Sequence, residues 1–344
     1  ADLDGVRVLK LPSIPTKHLD AITHTVLSTV HVMPRDVDIV HYHALGPGLL
    51  AGLPRWLARK PTVVTVHGLD WQREKWGAVA SAVLRAGESA CVRLPDRTIV
   101  VSKALRKHFL ENHQRATDYI PNGITPPVYR EPQLIPGLGV DKPFVLFVGR
   151  LVPEKGCHLL LDAWGELPSS LRESHRMVVA GDAGFTPGYV EGLRKAAPAG
   201  VVFTGYIHGR PLEELYTNAE LVVLPSTLEG LSITLLEGMS YARCCLVSDI
   251  PPNREAADGH DTLDWIGDQK WCNGRVGLVG KSYLGIVQIP AASGGHEVLK
   301  CIAPGVAPSN FFRDWIRYDG CFAFANAVRW ALTHATCRGQ PVVD

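Results

Sequence analysis

The chain has 344 residues, of which 46% are hydrophobic and 20% charged, and its formal net charge is +1. This length suits roughly two domains that each bury a core, and the balanced charge argues against a nucleic-acid partner or an acidic substrate. No apolar run reaches about 18 residues, and the opening Ala-Asp-Leu-Asp-Gly has neither an initiator Met nor a basic-then-apolar signal, so no transmembrane segment is expected.

Short β-branched runs alternate with helical stretches through the first third. Residues 6–9, 37–41, 62–66 and 97–101 read as strands covered on both faces, and 19–32, 49–58, 78–92 and 103–111 as the helices between them. Proline and glycine then dominate 121–143, a linker composition. A second series follows, with strands at 144–148, 177–180, 201–204, 221–225 and 244–248 and helices from Gly156, over 187–197 and over 212–218. The pattern predicts an α/β fold of two Rossmann-like domains with a cleft between them. The expected divisions are 1–125, a linker at 126–142, 143–257, and a tail of different character at 258–344. In that tail, 258–269 reads as helix, 275–279 as strand and 280–285 as a sharp turn into another helix. It holds Trp265, Trp271, Trp315 and Trp330, half of the chain's eight tryptophans. The eight cysteines are scattered in spacings that fit neither a zinc site nor a small disulfide scaffold, which predicts reduced thiols and a cytoplasmic protein.

Two carboxylates mark the edge of the second predicted sheet. Glu229 follows the strand at 221–225, and Glu237 is placed about two turns down the next helix. Ligands of open α/β sheets bind outside the strand carboxyl ends. Amides near Gly230, Leu231 and Ser232 favour an anion there, and the carboxylates can accept hydrogen bonds from sugar hydroxyls. Arg150 and Lys155, around the first helix of the same unit, can reach a diphosphate, although alone they read equally well as a solvated basic pair. A diphosphate between two polyhydroxylated rings, as in a nucleotide sugar, suits the set. Paired carboxylates also occur in glycosidases, but a neutral glycoside has no use for the two cations.

Residues 149–156, 202–206 and 224–237, preceded in order by Thr65-Val-His67-Gly68, Ile99-Val-Val-Ser102 and Ile120-Pro-Asn-Gly123, resemble the retaining, nucleotide-sugar-dependent glycosyltransferases of the GT-B fold with their E-x7-E motif. The resemblance spans about 1–255. It implies that Arg150 and Lys155 contact the donor diphosphate, Glu229 the transferred sugar and Glu237 the ribose. It also implies that Gly230, Leu231 and Ser232 complete the phosphate cradle, that Tyr206 lies near the base, and that His67 faces the reacting carbon from the first domain. No metal and no cofactor are expected besides the donor, since cations and amides neutralise the leaving group. A carbohydrate or lipid-linked acceptor is implied, with peripheral contact at the inner face of a membrane. The segment from Asp70 to Trp76, dense in charge and aromatics, would border the acceptor; it reads equally as an amphipathic helix start.

The tail contains Gly280-Lys-Ser282-Tyr-Leu-Gly285. A P-loop would need a glycine at Arg275, and the general nucleophile elbow one at Leu284, so neither motif fits. With Asp258–Ile266, 271–277 and 299–304, it resembles instead the cocaine-esterase and X-Pro dipeptidyl-peptidase family. That implies an α/β-hydrolase-like C-terminal fragment in which Ser282 is a vestigial nucleophile. The glycosyltransferase part resembles a chain lacking about two βα elements at its start and its closing strand and helix at its end. An exposed sheet edge in the first domain and a compensating contact from the tail are the expected consequences. A serine hydrolase acting through Ser282, or a remnant that binds nucleotide without turnover, remain as alternatives.

Overall fold

A computed structural model describes residues 2–3, 5–14, 16, 19–73, 76–183, 186–256, 273–281, 297, 299–305, 317–318 and 321–322. The first unit begins with β1 (Asp2–Leu3) and β2 (Val6–Arg7), an antiparallel pair separate from the main sheet. Then come α1 (Asp20–Val32), β3 (Val40–His43), α2 (Leu45–Gly48), α3 (Gly52–Leu57), β4 (Thr62–Val66), α4 (Ala78–Arg93), β5 (Arg97–Val100), α5 (Lys103–His113) and β6 (Asp118–Tyr119). Strands β3 to β6 form a parallel sheet in chain order, with β3 at one edge.

Three sequence expectations shift here. The run at 6–9 is exposed and joins a hairpin rather than the parallel sheet. The strand expected at 37–41 forms three residues later, where Val40 and Tyr42 alternate inward. The helix expected at 49–58 is the shorter α3, and before it lies an unexpected turn of helix, α2, packed so tightly on α4 that a Cβ on Gly48 would meet Cys91 Sγ at 2.3 Å.

The second unit comprises β7 (Phe144–Val148), α6 (Cys157–Glu166), α7 (Ser169–Ser174), β8 (Arg176–Ala180), α8 (Pro187–Ala196), β9 (Val201–Gly205), α9 (Arg210–Asn218), β10 (Leu221–Leu224), α10 (Ile233–Ser240), β11 (Cys244–Val247) and α11 (Pro251–Ala256). Its five strands are parallel in the order β11-β10-β7-β8-β9. The reversal of strand order beside β7 makes the crevice in which doubly wound sheets bind ligands. Both faces are covered, as the near-continuous apolar runs require. Val145, Phe147, Met177, Val179 and Val223 pack on Leu160, Leu161 and Trp164 of α6, whereas Phe144, Leu146, Val178 and Val222 pack on Leu215 and Tyr216 of α9.

The proline-rich stretch between the sheets is tied down. Glu214 Oε2 accepts from the Gln133, Leu134 and Ile135 amides at 2.9, 2.6 and 3.3 Å, and Ile135 and Val140 enter the second core. In the tail, β12 (Val276–Lys281) and β13 (Leu299–Gly305) pair in parallel, and β14 (Arg317–Tyr318) pairs antiparallel with β15 (Cys321–Phe322). Gly280 and Lys281 therefore lie in a strand, not in the turn expected from 280. The expected helix at 258–269 and Ser282 lie outside the described residues.

Candidate active site

The loop after β7 carries Arg150, and a 3-10 turn at Pro153–Lys155 leads into α6. Gly156 closes that turn at φ +69°, and a Cβ there would sit 2.3 Å from the Pro225 carbonyl oxygen. Only glycine lets this loop pass so close to the end of β10. The approach brings Lys155 Nζ to within 2.6 Å of Glu229 Oε1, with the two side chains 16% and 8% exposed. The loop is fixed further by the Thr227 amide, which donates to the Glu154 carbonyl at 2.9 Å.

Ser232 caps α10, its Oγ accepting from the Leu235 amide at 3.3 Å. The helix starts at Ile233, so Glu237 lies just past its first turn and not two turns down. Glu237 Oε2 accepts from Tyr216 OH at 2.7 Å, and burial followed by the Glu237 charge pushes that phenol's pKa up. Tyr216 therefore stays a donor and fixes the carboxylate. Tyr206, at the end of β9, is 78% exposed with its ring beside His208.

The first unit closes on this surface through backbone. A Cβ on Gly230 would lie 1.6 Å from the His67 carbonyl oxygen. Leu231 is 8% exposed and packs into the first unit's core, while its carbonyl accepts from Asn122 Nδ2 at 3.0 Å. His67 and Gly230 are thus brought together, and Leu231 serves as an anchor between the units. The His67 Nε2 is 2.9 Å from His43 Nδ1, and the rings stack. Burial and then His43 lower the His67 pKa, against Asp70, which raises it.

Charged groups of both units face each other beside Arg150. Arg73 pairs with Asp70 at 2.8 Å and lies 3.8 Å from Glu154. Burial and then Arg73 lower the Arg150 pKa, with Glu154, Asp70 and Glu229 opposing. Two guanidiniums this close, with carboxylates around them, suit an anion. Tyr216 and His43 escaped the sequence reading because each acts through a contact between elements, with no local spacing to betray it. A groove of about 620 Å³ lies elsewhere, between α1 and α3 near Met33, Arg35 and Leu57; it holds none of the cleft residues. Among the described residues, three potential metal ligands converge only at Glu88, His108 and His113, which include none of the cleft residues.

Comparison with known proteins finds three family matches along the chain. Residues 5–126 match the family described as Glycosyltransferase Family 4, 133–264 match Glycosyl transferases group 1, and 247–342 match X-Pro dipeptidyl-peptidase (S15 family). The α-maltose-1-phosphate synthase of Mycolicibacterium smegmatis is 30% identical over 253 residues, covering 65% of this chain and 63% of the synthase. The cocaine esterase of a Rhodococcus species is 40% identical over 88 residues, 25% of this chain and 15% of the esterase. The chain thus spans less than two thirds of either relative. Among solved structures, HepE of Anabaena in complex with UDP-glucose superposes with a TM-score of 0.58 at 22% identity, covering 68% of this chain and 65% of that one, which is a likeness of fold.

Proposed function

We propose, from the match of residues 5–126 to Glycosyltransferase Family 4, the match of 133–264 to Glycosyl transferases group 1 and the GT-B-like fold, that the chain transfers a sugar from a nucleotide diphosphate to a carbohydrate or lipid-linked acceptor, with retention of configuration. The observation that carries this reading is the 2.6 Å pair of Lys155 and Glu229 in the crevice where Gly230 meets His67. Lys155 and Arg150 would hold the diphosphate and, with the amides of Gly230, Leu231 and Ser232, stabilise charge developing on it as the glycosidic bond breaks. Glu229 would accept from hydroxyls of the transferred sugar. Glu237, of the E-x7-E pair and braced by Tyr216, would accept from the ribose. His67 would face the reacting carbon, and Tyr206 the base. In this scheme the positive charge at the diphosphate comes from the protein, and a metal is not called on. The expected setting is the cytoplasm, at the inner face of a membrane.

Calorimetric titration with UDP, GDP and ADP and their glucose conjugates tests the donor site, UDP-glucose coming first because HepE binds it. Glu237→Ala is expected to weaken the nucleotide that binds. No binding by any of them would overturn the reading. The anomeric configuration of a transfer product, read by NMR, tests retention; binding without transfer or donor hydrolysis would favour the nucleotide-binding remnant.

The match of 247–342 to the S15 family supports a second reading, a serine hydrolase with Ser282 as nucleophile. Labelling by a fluorophosphonate that disappears in Ser282→Ala would support it, and absence of labelling would end it.

A further inference from the structure

On α4 and α5, Glu88, His108 and His113 converge away from the residues assigned to the donor. His108 Nε2 lies 2.7 Å and His113 Nε2 2.6 Å from the same carboxylate oxygen, Glu88 Oε1. The ligand atoms of the three all fall within 4.8 Å of one another. The Glu88 side chain is 7% exposed, His113 12% and His108 24%, so the cluster is enclosed on the carboxylate side and reachable past His108. The other carboxylate oxygen, Oε2, accepts from Trp71 Nε1 at 2.5 Å.

We propose that Glu88, His108 and His113 form a binding site for a divalent transition metal, with zinc as the ion of choice. Two imidazoles and one carboxylate are the borderline nitrogen and oxygen donors that zinc selects, whereas magnesium and calcium prefer oxygen alone. Zinc–ligand bonds of about 2.0–2.1 Å place tetrahedral ligand atoms roughly 3.3 Å apart. The two imidazoles therefore need to withdraw from Oε1 by about 0.6–0.7 Å while staying within the 4.8 Å span the three ligand atoms already occupy. Three protein ligands leave a fourth position on the open side by His108. The Trp71 bond to Oε2 is the outer contact that orients a metal-bound carboxylate. Trp71 lies four residues after His67, and Arg85 covers its ring at 4.2 Å from the centroid. Zinc here would tie α4 and α5 to the segment that carries Asp70 and Arg73 to the cleft. Zinc binding here does not depend on the donor reading.

Equilibrium dialysis of the full chain against zinc, with bound metal counted by mass spectrometry, tests the site. About one zinc per chain is expected, with a rise in Tm that EDTA reverses. His113→Ala and Glu88→Gln should lose that zinc, and Trp71→Phe should weaken it by about 10-fold. Should those variants fail to fold, the spectrum of the cobalt-loaded parent decides. Intense ligand-field bands without a thiolate charge-transfer band support nitrogen and oxygen ligation. A thiolate band would assign the ion to cysteines and overturn the proposal. Zinc retained by His113→Ala but lost from His43→Ala would overturn it too, as would a parent that binds none.

Discussion

Lys155 and Glu229 are 16% and 8% exposed, and each has given up most of its water for the other. Removing one partner of so buried a pair leaves an uncompensated charge, which costs about 3 kcal/mol or more, whereas removing both costs less than the sum. We expect Lys155→Met to lower stability by about 3 kcal/mol in urea titrations, and Lys155→Met with Glu229→Leu to recover part of it. A strictly additive double variant would contradict the pairing. The imidazoles give a second expectation. Burial, then His43, depress His67 below 6.5, and burial, His43 and His67 depress His41 likewise. A depressed imidazole is protonated more readily in the unfolded chain. The stability it contributes is therefore complete above about pH 6.5 and falls as pH drops from there toward the folded values. Tm should decline over that interval, and less steeply in His67→Gln. An identical decline in that variant would remove His67 from the account.

Strands and helices with strong periodic patterns were legible in the sequence. The run Thr62–Val66 forms β4 over its full expected length, and α4 and α5 end one and two residues beyond expectation. Pieces set by packing were not legible. Helix α2 falls outside any expected element, and it forms where glycines let it press on α4, so that a Cβ on Gly87 would meet the Leu45 carbonyl at 2.4 Å. In the candidate site, Glu229, Glu237, Arg150 and Lys155 stood out by position on one sheet edge. The partners Tyr216 and His43 sit elsewhere in the chain, and only the fold brings them near. The proline-rich stretch shows the same gap, since its composition says linker while its backbone is held by a buried carboxylate. Burial pushes the Glu214 carboxyl up, but the Leu134 and Ile135 amides, the Arg210 guanidinium and the Gln133 amide outweigh it and keep its pKa below 4.5. The stability so gained is present above about pH 4.5 and is lost as pH falls through the depressed value. Glu214→Gln should therefore flatten the acid limb of the stability profile and speed amide exchange at 133–135. Unchanged exchange there would show that the carboxylate does not hold the segment.

At the scale of the molecule, the two units are joined by contacts that ordinary domain linkers lack. Glu255 of α11 accepts from the Lys103 and Ala104 amides at 2.6 and 3.3 Å, capping α5 from the other unit as an N-terminal carboxylate should. Asn122 holds the Leu231 carbonyl, and Leu231 itself fills a place in the first core. The tightest contact is Gly230 against His67, where a Cβ would fall 1.6 Å from a carbonyl oxygen, far inside any tolerated approach. The obstacle is backbone, so no rotamer change can relieve it. Gly230→Ala must therefore part the units or shift the 229–232 loop, which also carries Glu229. Gly68→Ala is the matched control, because its Cβ would stay 3.9 Å from the Gly230 backbone. Large buried contacts make two units melt together, and their loss lets each melt alone. Calorimetry should show one cooperative transition shared by the units in the parent and in Gly68→Ala, and two in Gly230→Ala. A single unshifted transition in Gly230→Ala would mean that the units do not close through this contact in solution.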